Sequence, residues 1–309
     1  MTGLLLSLQG AVAQGIIWGI MALGVYITFR ILDIADMTVD GSFATGGAVC
    51  AVCIVGGMNP VLAVLLAMVA GCVCGFITGL LITKFEIPAI LAGILTQIGL
   101  YSINLRIMGR SNLPLMQSDT VFKSVSELTG LSAAQASLIV GALIVVLVIV
   151  VLYWFFGTEI GSAIRATGNN ERMASALSVN TKTTKIIAIM IANGLVAFSG
   201  ALVTQSQGYA DVKMGVGAIV IGLASIVIGE VLFGNKRGFK LRLSSIVIGS
   251  IVYRVIIAIV LRMGMQTDDL KLLSAILVGV SLALPVMMAK RKQVNLYKKL
   301  TGKEVDKNA

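Results

Sequence analysis

The chain is built from apolar runs of about 20 residues, long enough to cross a bilayer as helices. The first, "GAVAQGIIWGIMALGVYITFR", is followed by others of the same kind almost to the C-terminus. Backbone groups in lipid must be satisfied within the segment, which favours helices. The period-2 alternation of a barrel strand is missing. Only 12% of residues are charged, where a soluble domain carries about a quarter. The expected fold class is therefore an all-α polytopic membrane protein. Nine segments stand out, at about 10–30, 42–57, 60–83, 87–106, 135–156, 183–204, 214–233, 243–262 and 271–289. The second is short, and a re-entrant segment would bring the count to eight. The first basic residue is Arg30, so the N-terminus lacks the basic region of a cleavable signal peptide.

Lysine and arginine set the expected orientation, because they concentrate in cytoplasmic loops. If the C-terminal tail 290–309 is cytoplasmic, segments 30–41, 84–86, 157–185 and 234–242 share its side. Together these hold seventeen of the 24 basic residues. The N-terminus is then outside. The net charge of +10 reads as a topology signal; its scatter over many loops argues against nucleic acid.

Small residues mark helix contacts. Gly71, Gly75 and Gly79 recur every four residues, as do Gly15 and Gly19, a spacing that lets helices approach closely. Cys50 and Cys53 form C-x-x-C, and Cys72 and Cys74 lie nearby. All four sit in apolar runs without histidine, so they are read as small packing residues. No metal site is expected.

A weak internal repeat is visible. "RILDIADMTVDGSFATGG" (30–47) and "TQSQGYADVKMGVGAIVIGL" (204–223) each break two apolar runs with a polar stretch holding Ala-Asp. The charge pattern puts the breaks on opposite sides, as in an inverted-topology repeat. This divides the transmembrane domain, residues 1–289, into halves of about 1–134 and 135–289.

The sequence holds no histidine, no G-x-S-x-G, no H-E-x-x-H and no Walker loop, so catalysis and ATP binding by this chain are not expected. A Ser–Lys intramembrane protease would need both residues within spans, which is not found. Asp268 and Asp269 read as solvated loop residues. Polar groups within or near spans are more informative, since each is costly in lipid. Arg254 lies mid-span and Glu230 near the end of the preceding span, where the two could pair. Asp36, Asn104, Asn193 and Gln205 are further candidates for a solute path, and Asp40 is placed to cap the helix after the first break.

Between two apolar runs lies "GTEIGSAIRATGNNERMASALSVNTKTTK", residues 157–185. A short helix should end near Gly168. A second should start at Asn169 or Asn170, with Met173, Ala176 and Leu177 along one apolar edge. Such short helices are not stable alone, and an exposed apolar edge fits a groove on a partner. The pattern G-x-x-x-R-A-x-G-x-N-x-x-x-A, at Gly161, Arg165, Ala166, Gly168, Asn170 and Ala174, resembles the cytoplasmic coupling loop of ABC-importer permeases. More narrowly it looks like the branched-chain amino acid and ribose permease family, and "ITFRILDIADMTVDGSFATGGA" is similar to that family's broken second helix. "IADMTVDGSF" resembles an uncharacterised branch set beside tryptophan- or other amino-acid-binding proteins.

The resemblance implies two permease subunits, most simply a homodimer, each with a cytoplasmic ATPase that holds ATP and Mg. It also implies an extracytoplasmic solute-binding protein. Loop 157–182, with Met173 and Leu177, would enter the ATPase groove. Amino acids are the first expected cargo, a sugar or nucleoside the second. Glu230 stands where the branched-chain type has a Gly-Gly pair, so substrate detail is not carried over. The rival is a self-sufficient secondary transporter or channel, disfavoured by the scarcity of mid-span acids. A membrane enzyme ranks third.

Overall fold

The computed structural model describes residues 2–115, 118–130, 132–234, 238–264, 269, 272–280, 283 and 287. The tail 290–309, Asp268, Lys236, Arg237 and Lys271 lie outside the described residues. Helix α1 (Thr2–Tyr26) ends in a π-helical turn, Ile27–Ile31, and is followed by α2 (Thr38–Val55), α3 (Pro60–Thr83) and α4 (Ala89–Met108). Strand β1 (Asn112–Pro114) and α5 (Val121–Thr129) lead to α6 (Ala133–Gly157), α7 (Glu159–Asn169) and α8 (Glu171–Ala176). Then come α9 (Thr181–Gln207), β2 (Tyr209–Asp211), α10 (Ala218–Phe233) and α11 (Phe239–Arg262), and residues 272–280 are helical again. Seven of these helices are long and apolar enough to cross a membrane, and α10 is a shorter apolar helix.

The expected all-α class holds, with two short strands as an addition. They pair antiparallel, Asn112 opposite Asp211 and Pro114 opposite Tyr209. The segments at 42–57 and 60–83 become full spans; the one at 214–233 does not. Its first four residues form a turn that ends at Gly217, with φ of +86°, and only Ala218–Phe233 is helical. The ninth segment, 271–289, is described only in places.

Burial sorts the helices. In its most apolar stretch about 83% of the first span is buried, against 22% for α6; α2 and α9 resemble α1, and α4 resembles α6. The bundle is thus α1, α2 and α9 at the centre, with α3, α4, α6 and α11 around them. Apolar side chains facing outward, among them Leu143, Leu147, Val150 and Trp154 of α6, suit a lipid surface.

The glycine stripes are helix contacts, as expected. A Cβ on Gly71 would lie 2.5 Å from the Asn193 carbonyl oxygen, and one on Gly75 2.5 Å from that of Ile189. Gly79 faces Ile186, so the whole stripe seats α3 on α9. Gly15 and Gly19 seat α1 on α11 at Ile251 and Val247. The four cysteines are free thiols.

Both polar breaks are real interruptions of helix. After the π turn the chain passes through Asp33, which takes the left-handed conformation at φ +56°, tolerated by Asp more than by most residues. Asp36 then accepts from the Thr38 N–H at 2.9 Å, supplying the side-chain bond that starts α2. Asp40 does not cap its own helix. It lies in the first turn of α2, and its carboxylate accepts from the backbone N–H groups of Gly217 and Ile219, at 2.9 and 3.0 Å. It therefore caps α10, the helix after the other break. The starts of the two helices meet inside the bundle, with one carboxylate between them.

Candidate functional site

One end of the bundle gathers the basic segments. Arg30, at the end of α1, forms a two-pronged ion pair with Glu230 of α10. The expected Glu230–Arg254 pair is therefore not made: Arg30 is the cation that reaches Glu230, while Arg254 lies against Trp18. Lys182 approaches Glu86 at 3.7 Å. Arg165 sits 5.7 Å from the Phe239 ring centroid. A cleft of about 560 Å³ opens here, lined by Arg30, Asp33, Arg165, Gly168 and Arg242 among others.

The segment 157–185 forms two short helices on this end. Thr158 caps α7 by accepting from Gly161 N–H; Asn170, rather than Asn169, caps α8 by accepting from Met173 N–H at 3.0 Å. α7 runs one residue past Gly168. Ile164 and Thr167 point inward, and the Thr167 hydroxyl bonds that of Thr184 on α9 at 3.0 Å. Glu171 binds Lys185 at 2.6 Å, and the lysine ammonium holds its carboxyl below the usual range. This ion pair ties the start of α8 to α9.

The residues of the coupling pattern fall into two groups. Gly161, Gly168 and Ala174 face the bundle. A Cβ on Gly168 would lie 1.7 Å from the Ile31 carbonyl oxygen, and one on Gly161 2.2 Å from that of Phe155; these glycines permit backbone contact. Arg165, Ala166, Asn170, Met173 and Leu177 face out. Met173, on α8, and Leu177, just past its end, keep 62% and 68% of their surface exposed, high values for large apolar side chains.

The residues proposed for a path behave unequally. Asp36 and Asn193 bind each other at 2.7 Å, and Asn193 also accepts from Ser42 at 2.7 Å. The cluster is buried and self-satisfied. Thr38, Thr78 and Thr96 form a parallel hydroxyl chain joining α2, α3 and α4. Gln205 is a staple: it donates to the Pro60 carbonyl at 3.1 Å and accepts from Val121 N–H at 2.9 Å. Asn104 differs. It is fully buried, neither amide atom has a partner, and it lines a cleft of about 390 Å³ with Asp40, Gln97, Tyr101 and Ser102. Arg254 has no ion pair among the described residues; its guanidinium carbon lies 4.0 Å from the Trp18 ring centroid.

A further cavity has no counterpart in the sequence reading. It holds about 480 Å³ and is lined by Trp18, Phe43, Tyr209, Asp211 and Lys213 among others. Its aromatic members come from α1, α2 and β2, too far apart in sequence for any local pattern to join them. The Ala-Asp of the second break is the one visible sign, since Asp211 belongs to it.

Comparison with known proteins bears on all of this. The model of the family described as "Branched-chain amino acid transport system / permease component" matches residues 7–289. The chain belongs to this family. It is 41% identical over 283 residues to a tyrosine transport system permease protein of Clostridioides difficile, covering 91% of this chain and 92% of the relative. An uncharacterized protein of Rickettsia prowazekii, RP368, is 32% identical over 88% of this chain and 95% of its own length. The inner membrane ABC transporter permease protein YjfF of Escherichia coli is 30% identical over 71% of this chain and 66% of its own. No solved structure matches. The protein is thus an ABC transporter permease, multi-pass in the cell membrane.

Proposed function

We propose that this permease forms the solute path of an ATP-driven importer whose cargo is an amino acid. The ATP and its Mg belong to a partner ATPase, and an extracytoplasmic binding protein delivers the solute. The observation that carries the ATPase partnership is the exposed Met173–Leu177 edge. It stands on a helix capped by Asn170, tied by Glu171–Lys185 and backed by Ala174. Burying two such side chains in a partner's groove is worth about 3–6 kcal/mol before the cost of association. In this reading the end that carries α7 and α8 is cytoplasmic, the N-terminus is outside, and two copies make the path. The two helix breaks support halves of about 1–134 and 135–289 related by an inverted repeat. The tyrosine transport relative supports amino-acid cargo.

The test is the double variant Met173→Asp, Leu177→Asp, reconstituted with the neighbouring ATPase and binding protein. ATPase co-purification and ATP-dependent uptake of labelled L-tyrosine should both be lost, with membrane insertion intact. Wild-type co-purification by the variant would remove the docking role. Uptake by the permease alone, without nucleotide, would instead favour a secondary transporter.

A further inference from the structure

The cavity under the β1–β2 pair has a composition that the helix packing does not require. Trp18 of α1 and Phe43 of α2 form its apolar wall, with ring centroids 4.8 Å apart. Tyr209, on β2, is 42% exposed. Asp211 and Lys213 add opposite charges at the same cavity. The Asp211 carboxylate accepts from the Lys213 backbone N–H at 2.7 Å and from Asn112 at 3.3 Å, which leaves lone pairs for a further donor. The Lys213 ammonium has no ion pair among the described residues. Trp18 is 6% exposed and its indole N–H is buried, so it serves the cavity as apolar surface. Arg254 stacks on the same indole with its own Nε unpartnered, bringing a positive charge to within one ring of the cavity.

The missing ligand is described by these groups. It needs an anionic acceptor for Lys213. It needs a cationic donor for Asp211. It needs a flat apolar body for the aromatic walls. A zwitterionic amino acid with an aromatic side chain carries all three, and the volume suits a molecule of that size. We propose that this cavity is the receiving site of the permease for an aromatic amino acid, its carboxylate toward Lys213 and its ammonium toward Asp211. This rests on the amino-acid importer reading and adds the place and class of the cargo.

The chain holds two tryptophans, and the other, Trp154, is 69% exposed on α6. A Trp154→Phe variant therefore leaves Trp18 as an internal reporter. The permease in lipid nanodiscs, with no ATPase or binding protein present, is titrated with L-phenylalanine while Trp18 emission is followed. A saturable change in the millimolar range is expected. The response should be about tenfold weaker for phenethylamine, which lacks the carboxylate, and in Lys213→Gln, because charge-assisted hydrogen bonds are the strong ones. L-Leucine should also bind more weakly. An absence of saturation would overturn the proposal, as would an equal response to phenethylamine or to D-ribose, or an unchanged response in both Lys213→Gln and Asp211→Asn. Because nothing in this titration requires ATP, its failure would leave the importer reading standing, and a failure of ATP-driven uptake would leave the site standing.

Discussion

Asp40 offers the most direct measurement of how the two broken helices are joined. Its carboxylate accepts two backbone N–H groups at the start of α10, a helix whose preceding residue, Gly217, has no side chain to do so. Asp40→Ala removes both acceptors without enlarging the side chain. Each lost bond is worth about 1 kcal/mol net. The loss of a negative charge at a helix N-terminus adds about 0.5 kcal/mol. The sum is about 2.5 kcal/mol, equivalent to a shift of roughly seventyfold in a local opening equilibrium. Asp40→Asn keeps one acceptor oxygen and should cost about half as much. The assay is amide hydrogen exchange followed by mass spectrometry on a peptide spanning residues 212–222, with one spanning 187–197 of α9 as internal reference. The expected order of exchange in 217–219 is Ala fastest, Asn intermediate, wild type slowest, with the α9 peptide unmoved. Equal protection in all three proteins would refute the idea that α2 holds the start of α10. Parallel loss in both peptides would show global unfolding instead.

Two further outcomes follow from the same geometry. Gly75→Ala places a methyl 2.5 Å from the Ile189 carbonyl, so α3 must move off α9; overpacking of this kind costs about 1–3 kcal/mol, read as a lower melting temperature in detergent, whereas Gly99→Ala, which meets nothing within 4 Å, should not destabilise. The Glu171 carboxyl, held low by Lys185, contributes stability that is present above the ordinary carboxylate pKa and is lost as pH falls through the lowered value. Because Glu171 is half exposed, the gain stays below about 1 kcal/mol after solvent screening. Limited proteolysis of segment 169–180 should accelerate only in the acid range, and Glu171→Gln should abolish that pH dependence.

The spans are legible in the sequence because lipid imposes a length and a composition that few other environments demand. The α3–α9 contact is legible too, since glycine at four-residue spacing leaves a face on which a Cβ would clash with the neighbouring helix. The two short helices of segment 157–185 can be read from Asn170 and Gly168, though Gly168 faces Ile31 rather than ending its helix. What escapes is everything that depends on which helix neighbours which. Asp40 looks like a local cap because its true partners, Gly217 and Ile219, lie far along the chain. Glu230 is matched with Arg254 by neighbouring position in sequence, while Arg30 reaches it across the bundle. The aromatic cavity draws on α1, α2 and β2, and no pattern within one segment reports such a meeting. Strand β1 leaves no mark in the sequence because it needs β2 to be a strand at all, and α5 is only nine residues long.

The contact between α7 and the end of α1 has a mechanical meaning. At Gly168 the backbone of one helix rests directly on the Ile31 carbonyl of the other, with no side chain between them to bend or change rotamer. A displacement of α7 toward the bundle would press on the π-helical turn at the end of α1 before any side chain could yield. Trp18 lies on the helix that this turn ends, so the far cavity and the outward-facing shoulder are joined through one continuous length of chain.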